Sequence, residues 1–250
     1  MPDITIRRPV EWVSSSQTNV GTVREINEDS ILEKPEIGLW AVADGMGGHE
    51  GGNIASNMIV GSLDELNIKD NLNEIVTCVE DRVIDVNQRL LEYSEIMLDG
   101  RVIGSTVAIL LIQGRAGVCM WAGDSRLYRY RNDELEQISL DHSHVSDLLR
   151  QGSITEEEAE NHPDANVITR AIGTSDELYI DIDVFDVRVG DMYLLCSDGL
   201  YNSVDHKAII DCLREEDVEV AVNRLIEMAL VNDANDNVSV VVVRGIRKQD

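Results

Sequence analysis

Four segments of this 250-residue chain join a strongly apolar run to an aspartate beside Gly, Asn or Ser. They are LWAVADG (Asp44, then Gly45), MWAGDSR (Asp124), MYLLCSDG (Asp198) and DNVSVVVV, in which Asp236 precedes its run. A strand end holds a side chain rigidly, and a neighbouring glycine lets backbone carbonyls approach a ligand. Carboxylates converging at one rim of a sheet repel each other unless cations neutralise them. The set lacks His and Cys, so it suits hard divalent cations held through oxygen, Mg2+ or Mn2+. The competing reading, that each aspartate merely turns the chain after a strand, is weakened by the recurrence of the pattern.

A second group lies in GTVREINEDS. Glu28 and Asp29 are suited to holding cation-bound water, and Arg24 to gripping a phosphate through two hydrogen bonds; the plainer alternative for Arg24 is a surface ion pair. Glycines surround His49 in DGMGGHEGG, ahead of a helical stretch, where backbone N–H groups can cradle an anion. The loop carries no GKS or GKT and does not match GxGxxG, so neither a P-loop nor a dinucleotide site follows. No GxSxG is present, which removes a serine nucleophile of the hydrolase type.

These residues need a scaffold. Apolar alternation and turn residues predict strands at 11–20, 30–32, 39–43, 105–112, 117–122, 126–130, 135–138, 180–187, 192–196 and 238–244. Asn132-Asp133 marks a hairpin between two of them. Helices are expected at 53–66, 72–97, 144–161 (with Thr155 capping its second half), 205–213 and 218–230; in 72–97 the residues Ile75, Val79, Val83, Val86 and Leu90 recur on one face. Strands come in clusters and helices in pairs, which argues α+β over a doubly wound parallel sheet. Continuous apolar strands such as VSVVVV imply sheets covered on both faces. The expected architecture is two stacked antiparallel sheets with helices outside each, and nothing divides residues 1–250 into more than one domain.

Charge narrows the partners. Lys plus Arg total 21 against 47 Asp plus Glu, a formal charge of −26. Such a surface repels nucleic acid and anionic lipid. The longest apolar run, 107–112, is far shorter than the roughly 20 residues a bilayer requires. Residues 1–12 show no apolar leader. Cys78, Cys119, Cys196 and Cys212 form no CxxC pair; Cys119 and Cys196 lie in apolar stretches and read as buried free thiols, which fits a cytoplasmic setting.

Taken in order, GTVREINED, VADGMGGHEGGNIAS, GST at 104–106, AGDSRLYRYR, LDHSHV, NVITRAIGT, LLCSDGLYN and DNVSVVVV resemble the metal-dependent Ser/Thr protein phosphatase family (PPM, type 2C) in its compact bacterial form. The segments span residues 20–243. The resemblance implies a four-layer fold, two central sheets with helices on both outer faces. It implies hydrolysis of phosphoserine and phosphothreonine in proteins by direct attack of a water or hydroxide bridging two Mn2+ or Mg2+ ions about 4 Å apart. On that basis Asp44 bridges the metals, Gly45 offers its carbonyl to the first, and Asp198 and Asp236 ligate the second. Glu28 and Asp29 act through metal-bound water, Arg24 holds the substrate phosphate, and Asp124 with Asp198 holds a third, weaker metal. The implied partners are phosphoproteins, with a Ser/Thr kinase and its substrates as counterparts, and a monomeric state is expected.

Two motifs depart from the pattern. Met46 stands where many eukaryotic relatives have a histidine that serves as general acid; His49, three residues on, and a metal-bound water are the alternatives. Tyr201 and Asn202 replace a more usual acidic or threonine-containing ending of the SDG motif. Residues 142–169 resemble the family's flap beside the active site. A catalytically weak pseudophosphatase or phosphoprotein-binding module is the competing class, and a regulator of an anti-sigma-factor pathway is a second; the full set of expected acids argues for turnover.

Overall fold

The computed structural model describes residues 10–48, 51–67, 71–160 and 162–247. Among the described residues, eleven strands and seven helices run in order as β1 (Val10–Asn19), β2 (Asp29–Lys34), β3 (Leu39–Met46), α1 (Gly51–Asp64), α2 (Leu72–Met97), β4 (Gly104–Ser105), β5 (Val107–Gln113), β6 (Ala116–Ala122), β7 (Arg126–Arg131) and β8 (Glu134–Gln137). Then come α3 (His144–Arg150), α4 (Glu156–Glu160), β9 (Asp181–Asp186), β10 (Met192–Cys196), α5 (Asp198–Tyr201), α6 (His206–Leu213), α7 (Val218–Val231) and β11 (Val238–Arg247). One sheet runs β1-β11-β10-β7-β8 and the other β2-β3-β5-β6-β9, with β4 beside β3. All the pairings are antiparallel.

The two-residue period of a strand explains the layers. Along β11, Val241 and Val243 face the second sheet and pack with Trp40, Leu110, Trp121, Tyr193 and Leu195. Val240 and Val242 face the other way, onto Leu225 and Ile226 of α7 and Ile209 of α6. Against the second sheet, Ile59 and Leu63 of α1 and Val79, Val83 and Val86 of α2 cover Ala41, Ala43, Ile109 and Leu111. Apolar side chains thus fill both faces of each sheet, giving the expected helix–sheet–sheet–helix order.

Several local expectations need correction. β3 does not stop before Asp44: its ladder continues through Met46, because Asp44 pairs with Asp29 of β2 while Gly45 and Met46 pair with Ser105 and Gly104. The strand expected at 105–112 is broken at Thr106, whose N–H donates to the Asp44 carbonyl at 2.8 Å and whose hydroxyl shares a 2.6 Å bond with Ser125. The stretch 144–161 is two short helices rather than one. Gly152, at φ +66°, separates them, and Thr155 caps the second by exchanging hydrogen bonds with Glu158. The Asn132-Asp133 hairpin holds, both residues adopting positive φ.

Candidate metal centre

The acids singled out above converge at one end of the sandwich. β2 and β3 set Asp29 and Asp44 side by side. β6 ends at Ala122, and Gly123, at φ +112°, swings the chain so that Asp124 points back into the site; a Cβ at Gly123 would stand 2.5 Å from Thr106. β10 delivers Asp198, which follows the strand end as expected but begins α5, a short helix the sequence reading did not foresee. Asp236 immediately precedes Asn237 and β11.

Glu28, Gly45 and Gly52 meet closely. The Glu28 carboxylate accepts the Gly52 N–H at 3.0 Å, and its backbone carbonyl accepts the Gly45 N–H at 3.2 Å. A Cβ on Gly45 would fall 2.1 Å from the Gly52 carbonyl oxygen. The glycines of DGMGGHEGG therefore serve close backbone approach at Gly45 and Gly52. His49 lies outside the described residues.

The electrostatics are those of crowded, half-buried carboxylates. Burial and the charges of Asp29, Asp198, Asp124 and Asp236 push the Asp44 carboxyl well above its ordinary range. Burial likewise lifts Asp29 to about 7, against hydrogen bonds from Ser239 and Ser197 that favour its charge. Asp124 rises to about 7 through burial and Asp198, and Asp198 to about 6 through burial and Asp236. One carboxylate oxygen on each of Asp29, Asp124 and Asp198 is buried without a hydrogen-bond partner. Buried oxygens of this kind are costly unless something binds them, and three around Asp44 fit hard divalent cations. No three His, Cys, Asp or Glu among the described residues form a ready-made metal cage.

Arg24 reaches the centre but does not stand free. Its Nε and Nη2 donate to the two carboxylate oxygens of Asp236 at 3.0 and 2.7 Å. The ion-pair alternative is therefore realised, and its partner is itself a residue of the expected site.

The sequence reading overlooked the side chains that hold these loops. Asn237 is buried: its Oδ1 accepts the Glu28 N–H at 2.8 Å and its amide donates to the Val20 and Ile26 carbonyls at 2.9 and 3.1 Å. Ser197 donates to Asp29 Oδ2 at 2.7 Å and accepts the Ser239 N–H at 2.9 Å. Both lie within quoted motifs, beside the acids that drew attention. In the departing SDG ending, Tyr201 donates to the Asp124 carbonyl at 3.1 Å beneath the Arg126 guanidinium, and Asn202 donates to Asp198 Oδ2 at 3.2 Å. The segment 142–169 is pinched at its base, where His144 N–H donates to Val167 O and Thr169 N–H to His142 O. His142 also accepts the Gly123 N–H on Nδ1 at 3.1 Å, tying that base to the turn bearing Asp124.

A two-sheet, four-layer fold with carboxylates gathered at one end has the donor set of a divalent-cation site. Comparisons with known proteins narrow it. Residues 22–235 match the family model described as protein phosphatase 2C. The serine/threonine protein phosphatase PstP of Mycobacterium tuberculosis is 36% identical over 228 residues, covering 91% of this chain and 44% of the relative. The chain thus spans less than half the length of that curated relative. Among solved structures, PppA, titled a key regulatory component of T6SS in Pseudomonas aeruginosa, superposes with a TM-score of 0.89 at 39% identity, covering 96% of this chain and 100% of its own. The catalytic domain of PstP in complex with two manganese ions gives a TM-score of 0.83 at 34% identity, over 95% and 99% of the two chains. The chain belongs to the protein phosphatase 2C family.

Proposed function

We propose that this chain is a metal-dependent protein phosphatase that hydrolyses phosphoserine and phosphothreonine esters, with residues 1–250 acting as one catalytic domain. The observation that carries the reading is the trio of buried, unpartnered carboxylate oxygens on Asp29, Asp124 and Asp198 around Asp44. Two Mn2+ or Mg2+ ions bound there would supply neutralisation of phosphoryl charge and acidification of water; the relative solved with two manganese ions supports that count. Asp44, the Gly45 carbonyl, Asp198 and Asp236 would hold the ions directly. Glu28 and Asp29 would act through water, and Asp124 with Asp198 at a further, weaker site. Arg24 would leave Asp236 for the substrate phosphate once cations neutralise that carboxylate, and its planar fork suits either partner.

Phosphoproteins are the substrates in this reading, and a Ser/Thr kinase with its targets forms the opposing arm. No helix among the described residues is long and apolar enough to cross a membrane, and action in the cytoplasm belongs to the proposal. The test is phosphate release from an aryl phosphate and a phosphothreonine peptide after chelation, with Mn2+, Mg2+, Ca2+ or no metal returned. Activity should return with Mn2+ or Mg2+ and stay absent in Asp44→Asn. Stoichiometric metal binding without turnover would point instead to a phosphoprotein-binding module.

A further inference from the structure

A cavity of about 480 Å³ is walled by Ile26, Ile54, Tyr93, Leu98 and Ile103, with Arg101 among its lining residues. The Gly47-Gly48 turn forms another part of the wall. A Cβ at Gly47 would approach Ile103 within 3.0 Å, so the glycine lets the turn lie directly on that side chain. The cavity is continuous in sequence with the site. Ile26 stands two residues before Glu28, and Gly48 three residues after Gly45. At roughly 3.3–3.6 Å per extended residue, these separations place Gly48 within about 11 Å of Gly45 and Ile26 within about 7 Å of Glu28. A peptide whose phosphoresidue occupies the metal centre reaches the cavity with the second or third neighbour.

Arg101 gives the cavity a sign. The chain carries −26, and Arg24, Arg126, Arg131 and Arg170 each hold a carboxylate. Arg101 meets no carboxylate among the described residues; its Nε reaches only the Leu98 carbonyl, at 3.4 Å. Its backbone is held in place: Ser94 donates to the Arg101 carbonyl at 2.6 Å, and Arg101 N–H donates to the Leu98 carbonyl at 3.1 Å. Ile26, 42% exposed, offers apolar surface to an incoming chain. An uncommitted cation on an apolar cavity matches an apolar side chain with an acidic neighbour.

Building on the phosphatase reading above, we propose that this cavity is a specificity pocket for the substrate polypeptide. It takes a leucine-like side chain two or three residues from the phosphoresidue, and Arg101 pairs with an acidic residue next to it.

The test uses the full chain with Mn2+ and phosphothreonine peptides of otherwise alanine sequence. At two or three positions from the phosphoresidue, on either side, they carry Leu-Glu, Leu-Lys or Ala-Glu. Burial of a leucine should raise kcat/KM about tenfold over the alanine peptide on the productive side. Wild type should prefer Glu to Lys, and Arg101→Glu should reverse that order, which a merely structural arginine would not do. Ile26→Ser should flatten the leucine preference. Equal kcat/KM for all peptides in wild type, or an unchanged Glu preference in Arg101→Glu, overturns the pocket. If aryl phosphate is hydrolysed while peptides are not distinguished, only this inference falls; if neither is hydrolysed, the phosphatase reading falls and takes the pocket with it.

Discussion

Asn237 Oδ1 accepts the backbone N–H of Glu28 at 2.8 Å across 209 residues of sequence, while its amide donates to the Val20 and Ile26 carbonyls. One buried side chain thus ties the loop bearing Arg24 to the strand that follows Asp236. Asn237→Ala leaves one donor and two acceptors without their partner, and a buried unpaired group costs about 1–3 kcal/mol. Urea unfolding of the metal-free chain should show a loss of about 3 kcal/mol. Asn237→Asp should lose more, because a carboxylate oxygen would then face two carbonyls. A midpoint equal to wild type would show that water replaces the bonds at no cost.

Asp44→Asn should abolish turnover without weakening the fold. Burial, and then the surrounding acids, already favour the neutral carboxyl of Asp44 in the metal-free chain, and Asn is close in shape to that form. Its metal-free Tm should equal or exceed wild type, while phosphate release falls to background. A lowered Tm together with retained activity would contradict the assigned role.

Stability without metal should fall as pH rises. Asp29 and Asp124 stand at about 7 and Asp198 at about 6, above the usual carboxylate value near 4. Folded-state values raised in this way contribute stability that is fully present below the unfolded value and is lost as pH climbs through the folded ones. Tm in chelator should therefore decline between about pH 4 and 7. Saturating Mn2+ should reverse the trend near pH 7, because the ion displaces those protons. A metal-free Tm that rises across this interval would refute the crowding.

Arg24→Ala should raise KM for phosphate esters with little change in unfolding midpoint. The guanidinium is 54% exposed beside a partly exposed Asp236, and exposed ion pairs contribute about 0–1 kcal/mol. An unchanged KM would leave Arg24 as a partner of Asp236 alone.

The layered fold was legible because period-two and period-3.6 patterns report burial directly: 72–97 and 192–196 match α2 and β10 residue for residue. The continuation of β3 through Asp44 was not legible, since a strand residue that ends in a carboxylate reads locally as a turn. Its pairing with Asp29 depends on register with a residue 15 positions earlier in the chain. Short α5 was hidden for the same reason, Asp-Gly being a turn signal by composition. The acids of the centre could be found by type and spacing. Asn237 and Ser197 could not, because an amide or hydroxyl becomes informative only once the backbone groups it satisfies are known.

The pairing of β1 with β11 sets the order in which the molecule can be made. β11 lies between β1 and β10, so the first described strand has no neighbour in its sheet until residues near 247 have left the ribosome. The loop carrying Arg24 and Glu28 likewise waits for Asn237. During synthesis the earlier β2-β3-β5-β6 sheet can pair with its helices while its apolar inner face, including Trp40 and Leu110, remains uncovered. A nascent chain is thus exposed to self-association until β11 has emerged, and ribosome stalling before residue 238 should yield aggregation-prone, inactive chains.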